Sequence, residues 1–281
     1  MRLDRQHTRT TFRKLSRQLV KLAAKPAPES VHKFRTLSRR VEVLVSDLAG
    51  NRSRNETKLL KQLARLRKKA GRLRDLDAQS AALRSLKIPQ QPGRKSQLMS
   101  MLVEERARRE RKLVKALDKD AVAEVRKRLK RAAGDLELPR NVDPLALAIE
   151  RVTALKLEPG AVTEKILHRF RIAGKRARYI AEMADSAEAT RLVEQLKHMQ
   201  DLIGDWHDWL QLTERAEKLL GGVQDSPLVA ALRNLTRAKF RQAVHSLSQT
   251  RAALLSRKPA PVAIMDRQPP RADSTPGAAV A

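Results

Sequence analysis

A chain of 281 residues with 60 Lys and Arg against 31 Asp and Glu carries a formal charge of +29. Such an excess repels itself in a compact state unless anions offset part of it, so it points to a polyanionic partner: nucleic acid, an anionic membrane surface or inorganic polyphosphate. The absence of cysteine excludes disulfides, thiolate metal sites and cysteine catalysis, and no uncharged apolar run approaches the roughly 18–20 residues of a membrane span.

Leu, Ala, Arg, Lys and Glu dominate, β-branched residues are sparse, and Gly and Pro fall at intervals, which is an all-helical profile. Helices are expected near 4–25, stopped by Pro26 and Pro28, and near 29–49, ended by Gly50-Asn51. Two more are expected near 54–70 and 72–87, separated by Gly71, with Pro89–Gly93 closing the group. A long charged helix spans about 94–133, its apolar residues (Leu98, Leu102, Leu113, Leu117, Val125 and Leu129) compatible with one face. Within it, Arg106 and Arg109 share a face and stand out as candidate anion contacts from a stretch otherwise read as solvated. Residues 134–144, with Pro139, connect two halves, about 1–133 and 143–256. The second half predicts helices near 143–156, 161–184, 188–203, 205–220 and 226–256. The Pro- and Ala-rich tail, 257–281, has little to bury and is expected to be disordered. Met1-Arg2-Leu3-Asp4-Arg5 lacks the apolar core of a secretory signal, so a cytoplasmic location is expected.

One phrase occurs twice. Val31-His32-Lys33-Phe34-Arg35 with Arg39-Arg40-Val41 returns as Leu167-His168-Arg169-Phe170-Arg171 with Lys175-Arg176-Ala177. At roughly 100° per residue, His168, Arg171, Lys175 and Arg178 share one side of a helix. Ile166, Phe170, Ala173, Ala177 and Ile180 share the other. His32, Arg35 and Arg39 likewise oppose Phe34, Leu37, Val41, Leu44 and Leu48. Each helix thus buries one face and offers a cationic stripe, flanked by Lys33, Arg40, Arg169 and Arg176. The run from His168 to Arg178 covers about 15 Å, which suits a chain of phosphates. A second phrase follows each stripe: Gly71-Arg72-Leu73-Arg74-Asp75-Leu76-Asp77 and Gly204-Asp205-Trp206-His207-Asp208-Trp209-Leu210, at nearly the same offset. Duplication is the economical explanation.

These paired motifs resemble the CHAD family, the conserved-histidine α-helical domain, over essentially residues 1–256. The resemblance implies an all-α fold of two pseudo-symmetric four-helix bundles with a basic central cavity. It also implies binding of inorganic polyphosphate and, for a stand-alone member, association with polyphosphate granules. By the same resemblance His32, Arg35, Arg39 and Arg40 match the first motif, and His168, Arg171, Lys175 and Arg176 the second. Leu210 departs from the pattern where the first copy has Asp77.

Metal ligation by His32 and His168 is disfavoured, because each stands among cations and a metal needs several convergent donors. Asp75 and Asp208 read as helix caps or braces for arginines. The chain has no phosphate loop of the Gly-x-x-x-x-Gly-Lys-[Ser/Thr] type and no defensible Ser-His-Asp arrangement, so a binding protein without cofactor is expected rather than an enzyme. Two alternatives remain: weak association with nucleic acid, for which 2% aromatic residues supply few stacking platforms, and a helical scaffold for polyphosphate-metabolising enzymes.

Overall fold

The computed structural model describes residues 5–49, 52–88, 92–137, 142–155, 162–220 and 226–256. Within them lie nine α-helices: α1 Arg5–Ala24, α2 Pro28–Val43, α3 Arg54–Ser85, α4 Pro92–Val114, α5 Lys119–Asp135, α6 Pro144–Thr153, α7 Glu164–Ala181, α8 Ala187–Leu219 and α9 Pro227–Leu255. No strand occurs among the described residues. The expected tail at 257–281 lies outside them, as do Gly50-Asn51, Pro139, Pro159-Gly160 and Gly221-Gly222.

Starts are encoded locally. Pro28, Pro144 and Pro227 open α2, α6 and α9, where a missing N–H costs no helical hydrogen bond. Ser53 and Glu56 form a reciprocal capping box on α3. The Asp118, Asp143, Thr163 and Ser186 side chains accept from the first-turn amides of α5, α6, α7 and α8.

Three boundaries differ from expectation. Helix α3 runs unbroken through Gly71, and α8 runs unbroken through Gly204. The long charged segment is two helices, because a 3₁₀ turn at Lys115–Leu117 and the Asp118 cap divide α4 from α5. Helix α2 ends in a π-helical turn, Leu44–Leu48, closed by the Ala49 amide on the Leu44 carbonyl at 3.0 Å. Such a turn holds one extra residue and re-aims its side chains. Here it carries Asp47, whose side chain is only 3% exposed and pairs with Arg151 of α6 and Arg176 of α7.

Among the described residues the first half has five helices and the second four, instead of four in each, and only the first three pairings run alike. Helices α1–α2–α3–α4 pack in sequence and α5 returns to α1; α6–α7–α8–α9 pack in sequence and α9 returns to α6. Between halves, α2 meets α7 and α3 meets α8. The phenylalanines of the repeated phrase are sealed: Phe34 is 0% and Phe170 1% exposed. Each such burial stabilises by roughly 1.5–3 kcal/mol and pins its helix with the cationic face turned away. The halves do not have separate cores. One cluster of buried apolar residues runs from Phe12 and Leu63 through Leu167 to Leu247. A second joins Leu76 and Leu98 to Trp209 and Leu232.

Candidate anion-binding site

The cationic faces of α2 and α7, walled by α3 and α8, enclose a cavity of about 600 Å³. Helix α2 contributes His32, Arg35, Arg39 and Arg40; α3 contributes Arg74 and Asp75; α7 contributes Arg171, Lys175 and Arg178. Helix α8 adds Lys197, Gln200, Asp201, Asp205 and Asp208, and Glu182 follows α7. Eight Arg and Lys therefore face five acidic side chains.

At the centre the imbalance is steeper. Burial, and then the charges of Arg171, Arg39, Arg35 and Arg178, push the Lys175 ammonium down to about 7. Burial also lowers the pKa of Arg35 and of Arg171; Asp75 opposes this at Arg35, and Asp208 with Asp75 opposes it at Arg171. Burial pushes the Asp208 carboxyl up to about 6 against the pull of Arg74 and Arg171. His32 is lowered by burial and then by Arg74, and His207 by burial and then by Arg171, so both imidazoles tend to neutrality. Several buried donors are left over. Arg171 Nε has no hydrogen-bond partner, and neither does the side-chain amide of Gln200, which is 3% exposed. Buried polar groups are normally paired; here the donors Arg171 Nε and Gln200 Nε2 and the acceptor Gln200 Oε1 are not.

The two glycines inside α3 and α8 belong to this site. A Cβ at Gly71 would collide with Nη1 of Arg35, so the guanidinium lies directly across the α3 backbone. At Gly204 the equivalent Cβ would sit 3.6 Å from Arg171 Nη2, an ordinary contact. Replacing helix-interior Gly by Ala stabilises by up to about 1 kcal/mol. Gly204→Ala should therefore raise the thermal midpoint by about 2–4 °C. Gly71→Ala should lose that gain and swing the Arg35 guanidinium off α3. Calorimetry with a crystal structure of each variant checks both; equal stabilisation with Arg35 unmoved would contradict the account.

Seven of the residues singled out from sequence line the cavity: His32, Arg35, Arg39, Arg40, Arg171, Lys175 and Arg178. Six do not. Lys33 pairs on the surface with Glu29 at 2.5 Å. Arg106 is held by Asp77 at 2.7 Å and by Glu110, and donates to the Pro26 carbonyl, bracing α3 against α4. Arg109 pairs with Glu105. Arg176 reaches Asp47 at 3.4 Å. Arg169 is exposed, and exposed His168 has its ring 6.5 Å from that of His207. Arg40 both lines the cavity and ties α2 to Glu182 at 2.8 Å.

Sequence reasoning passed over Arg74, Lys197 and Gln200. Arg74 carried a signal: the second copy places His207, also a donor, at the matching position. Asp75 and Asp208 cap nothing, being inside α3 and α8, and face the guanidinium groups. Asp77 is structural through Arg106, and its counterpart Leu210 packs on the core.

The two ends of the cavity differ. Four residues before Gly71, Arg67 bonds the Ser38 hydroxyl at 3.1 Å and Glu42 at 2.8 Å, so that end neutralises itself. Four residues before Gly204 the chain has Gln200, and Ser38 and Glu42 are replaced by Gly174 and Arg178. Arg178 Nε has only a 3.5 Å ion contact with Glu182. The end formed by α7 and α8 therefore holds the unsatisfied donors. Among the described residues no three His, Cys, Asp or Glu side chains converge as a metal site would require, and no helix is long and apolar enough to cross a membrane.

The CHAD domain family model matches residues 6–217. Among solved structures, the CHAD domain from the plant Ricinus communis is similar at 19% identity, covering 88% of this chain and 89% of that one with a TM-score of 0.63. PptA from Streptomyces chartreusis is similar at 14% identity, covering 89% and 96%, with a TM-score of 0.59. No curated protein matches.

Proposed function

Since the chain belongs to the CHAD family, as the match over residues 6–217 shows, we propose that it binds inorganic polyphosphate in the cavity between α2 and α7 and associates with polyphosphate granules. The observation that carries this reading is the convergence of Arg35, Arg39, Arg171 and Lys175, from two helices, on one cavity with unpaired buried donors. A phosphate chain offers acceptor oxygens and charge at every unit. It would offset the burial and the mutual repulsion that lower Lys175, and supply acceptors for Arg171 Nε and Gln200 Nε2. The sequential packing of α1–α4 and of α6–α9 and the repeated phrases support an internal duplication, in which α2 and α7 each bring a cationic stripe to one site. Nothing in this reading calls for turnover or a cofactor. The protein binds, and the cavity acids serve to space and hold guanidinium groups.

Nucleic acid is the weaker reading. Trp206 and Trp209 are 3% and 7% exposed, and Trp206 packs edge-on against Phe240 at 5.6 Å, so neither offers a face for base stacking. The test is competition at physiological salt: long-chain polyphosphate should displace duplex DNA at far lower phosphate concentration than the reverse. Equal competition per charge would leave only general electrostatics and overturn the proposal. In cells, a fluorescent fusion should form foci that vanish when polyphosphate synthesis is removed.

A further inference from the structure

A second cationic concavity lies on α1 and α5, helices that contribute nothing to the cavity. It is a groove of about 630 Å³ with Arg9, Arg13 and Arg17 along one wall and Arg126, Lys127 and Lys130 along the other. The three arginines follow one another at four-residue steps, about 6 Å each, so they form a row about 12 Å long. The floor is sealed by Phe12 and Leu129, each 1% exposed, which fixes both walls to the core. Arg126 Nε donates to the Ser16 hydroxyl at 3.3 Å, drawing α5 towards α1.

The groove lacks the neutralisation found along the Arg106–Arg109 stretch of α4. On α4, Arg106, Arg108 and Arg109 all have carboxylate partners. Among the described residues none of the six groove cations forms an ion pair, and no acidic side chain lines the groove. Asp135 and Glu137 border only a smaller hollow at the Arg9 end. Nor is the groove part of the repeated plan. Helix α6, which takes the place of α1 in the second half, has the single cation Arg151, and Asp47 holds it.

We propose that the α1–α5 groove is a second polyphosphate site, so that one protein molecule bridges two chains or two segments of one chain; the proposal rests on the polyphosphate reading of the cavity. Charge complementarity selects the occupant: two unpaired cationic rows on opposite walls of the groove take a linear polyanion between them. The two sites differ in kind. The groove cations are all exposed, so binding there depends on displacement of counterions and weakens steeply with salt. The cavity donors are sheltered and lose less. Bridging follows from holding both sites on one rigid body, and it converts modest affinities into cross-linking of long chains.

The experiment is titration calorimetry of the full chain with short polyphosphate of defined length, paired with turbidity on long-chain polyphosphate. The wild-type protein should show two binding events, the weaker one vanishing first as salt rises, and should cloud long-chain solutions. A variant carrying Arg9→Gln, Arg13→Gln, Arg126→Gln and Lys130→Gln should keep the tighter event unchanged, lose the weaker one and stay clear. A single event in the wild type, or unchanged stoichiometry and clouding in the variant, would overturn the second site. Loss of duplex DNA binding alone in that variant would also overturn it, assigning the groove to nucleic acid. The paired variant Arg35→Gln and Arg171→Gln separates the two readings: if it leaves both events intact, the cavity reading fails instead.

Discussion

Replacing Arg35, Arg39, Arg171 and Lys175 together by alanine is expected to weaken long-chain polyphosphate binding by about a thousandfold at physiological salt. Hydrogen bonds to charged groups contribute about 1.5–3 kcal/mol each, and a factor of ten is about 1.4 kcal/mol. Four such contacts, discounted for non-additivity, still exceed the roughly 4 kcal/mol that a thousandfold loss represents. Removing Arg108, Arg111, Lys112 and Lys115, all exposed, subtracts the same formal charge. That loss should cost about tenfold at most, since such cations act through the counterion atmosphere alone. Stability separates the sets a second time. Burial, and after it the neighbouring cations, disfavour the charged Lys175, and burial disfavours the charged Arg35 against the pull of Asp75, so the cavity variant should unfold at or above the wild-type temperature. Equal binding losses from both sets would remove the dedicated site. Lost binding with a lowered thermal midpoint would trace the effect to folding. Arg35→Lys with Arg171→Lys keeps the charge but loses the planar fork, and should restore only part of the affinity.

What the sequence made legible was whatever repeats at helical spacing. The stripe on α7 and its apolar reverse could be read because both faces lie within one helix, and Phe34 and Phe170 fall where the spacing puts them. Gly71 and Gly204 were misread as breaks, since glycine lowers helix propensity. For Gly71 the reason lies on another helix: the Arg35 guanidinium occupies the place where a side chain would stand, whereas at Gly204 Arg171 leaves room for one. Arg106 and Arg176 were drawn towards the site for a similar reason. Each repeats a cationic pattern locally, yet each meets a carboxylate far along the chain, Asp77 and Asp47 respectively. A pairing of that kind leaves no trace in periodicity. Arg109 is different, because its partner Glu105 sits one helical turn away and was open to inspection. The substitution of Gln200 for the arginine at the matching place in α3 was equally visible. Its meaning was not, because it depends on Ser38 and Glu42 packing against that arginine in three dimensions.

Affinity for long-chain polyphosphate is expected to fall as pH rises from about 5.5 to 8, with protons taken up on binding. Lys175 and Asp208 have the largest shifts, and the His32 imidazole in the cavity adds to the acid side in the same direction. Lys175 titrates at about 7 in the free protein, with Arg35 and Arg39 facing it from α2 and Arg171 and Arg178 from its own helix. A bound polyanion favours its protonated form, so above pH 7 binding must first recruit a proton. Asp208, at about 6, has Arg74, Arg171, Asp75 and Asp205 around it. A polyanion beside it favours the neutral acid, so binding strengthens as pH falls through 6. One coupled proton changes affinity by up to about tenfold per pH unit, and the two windows in succession allow about a hundredfold overall. Long chains keep the titrating terminal phosphates a minor fraction. The signs for stability differ between the groups. Between pH 7 and 10.5 the unfolded chain holds a proton on Lys175 that the folded one lacks, so stability rises with pH there. Between pH 3.8 and 6 the folded chain holds the extra proton on Asp208, so stability falls with pH. Calorimetry in buffers of different ionisation enthalpy counts the protons directly. Lys175→Arg should flatten the upper part of the affinity profile and Asp208→Asn the lower part. A profile that neither variant alters would remove Lys175 and Asp208 as the groups that set it.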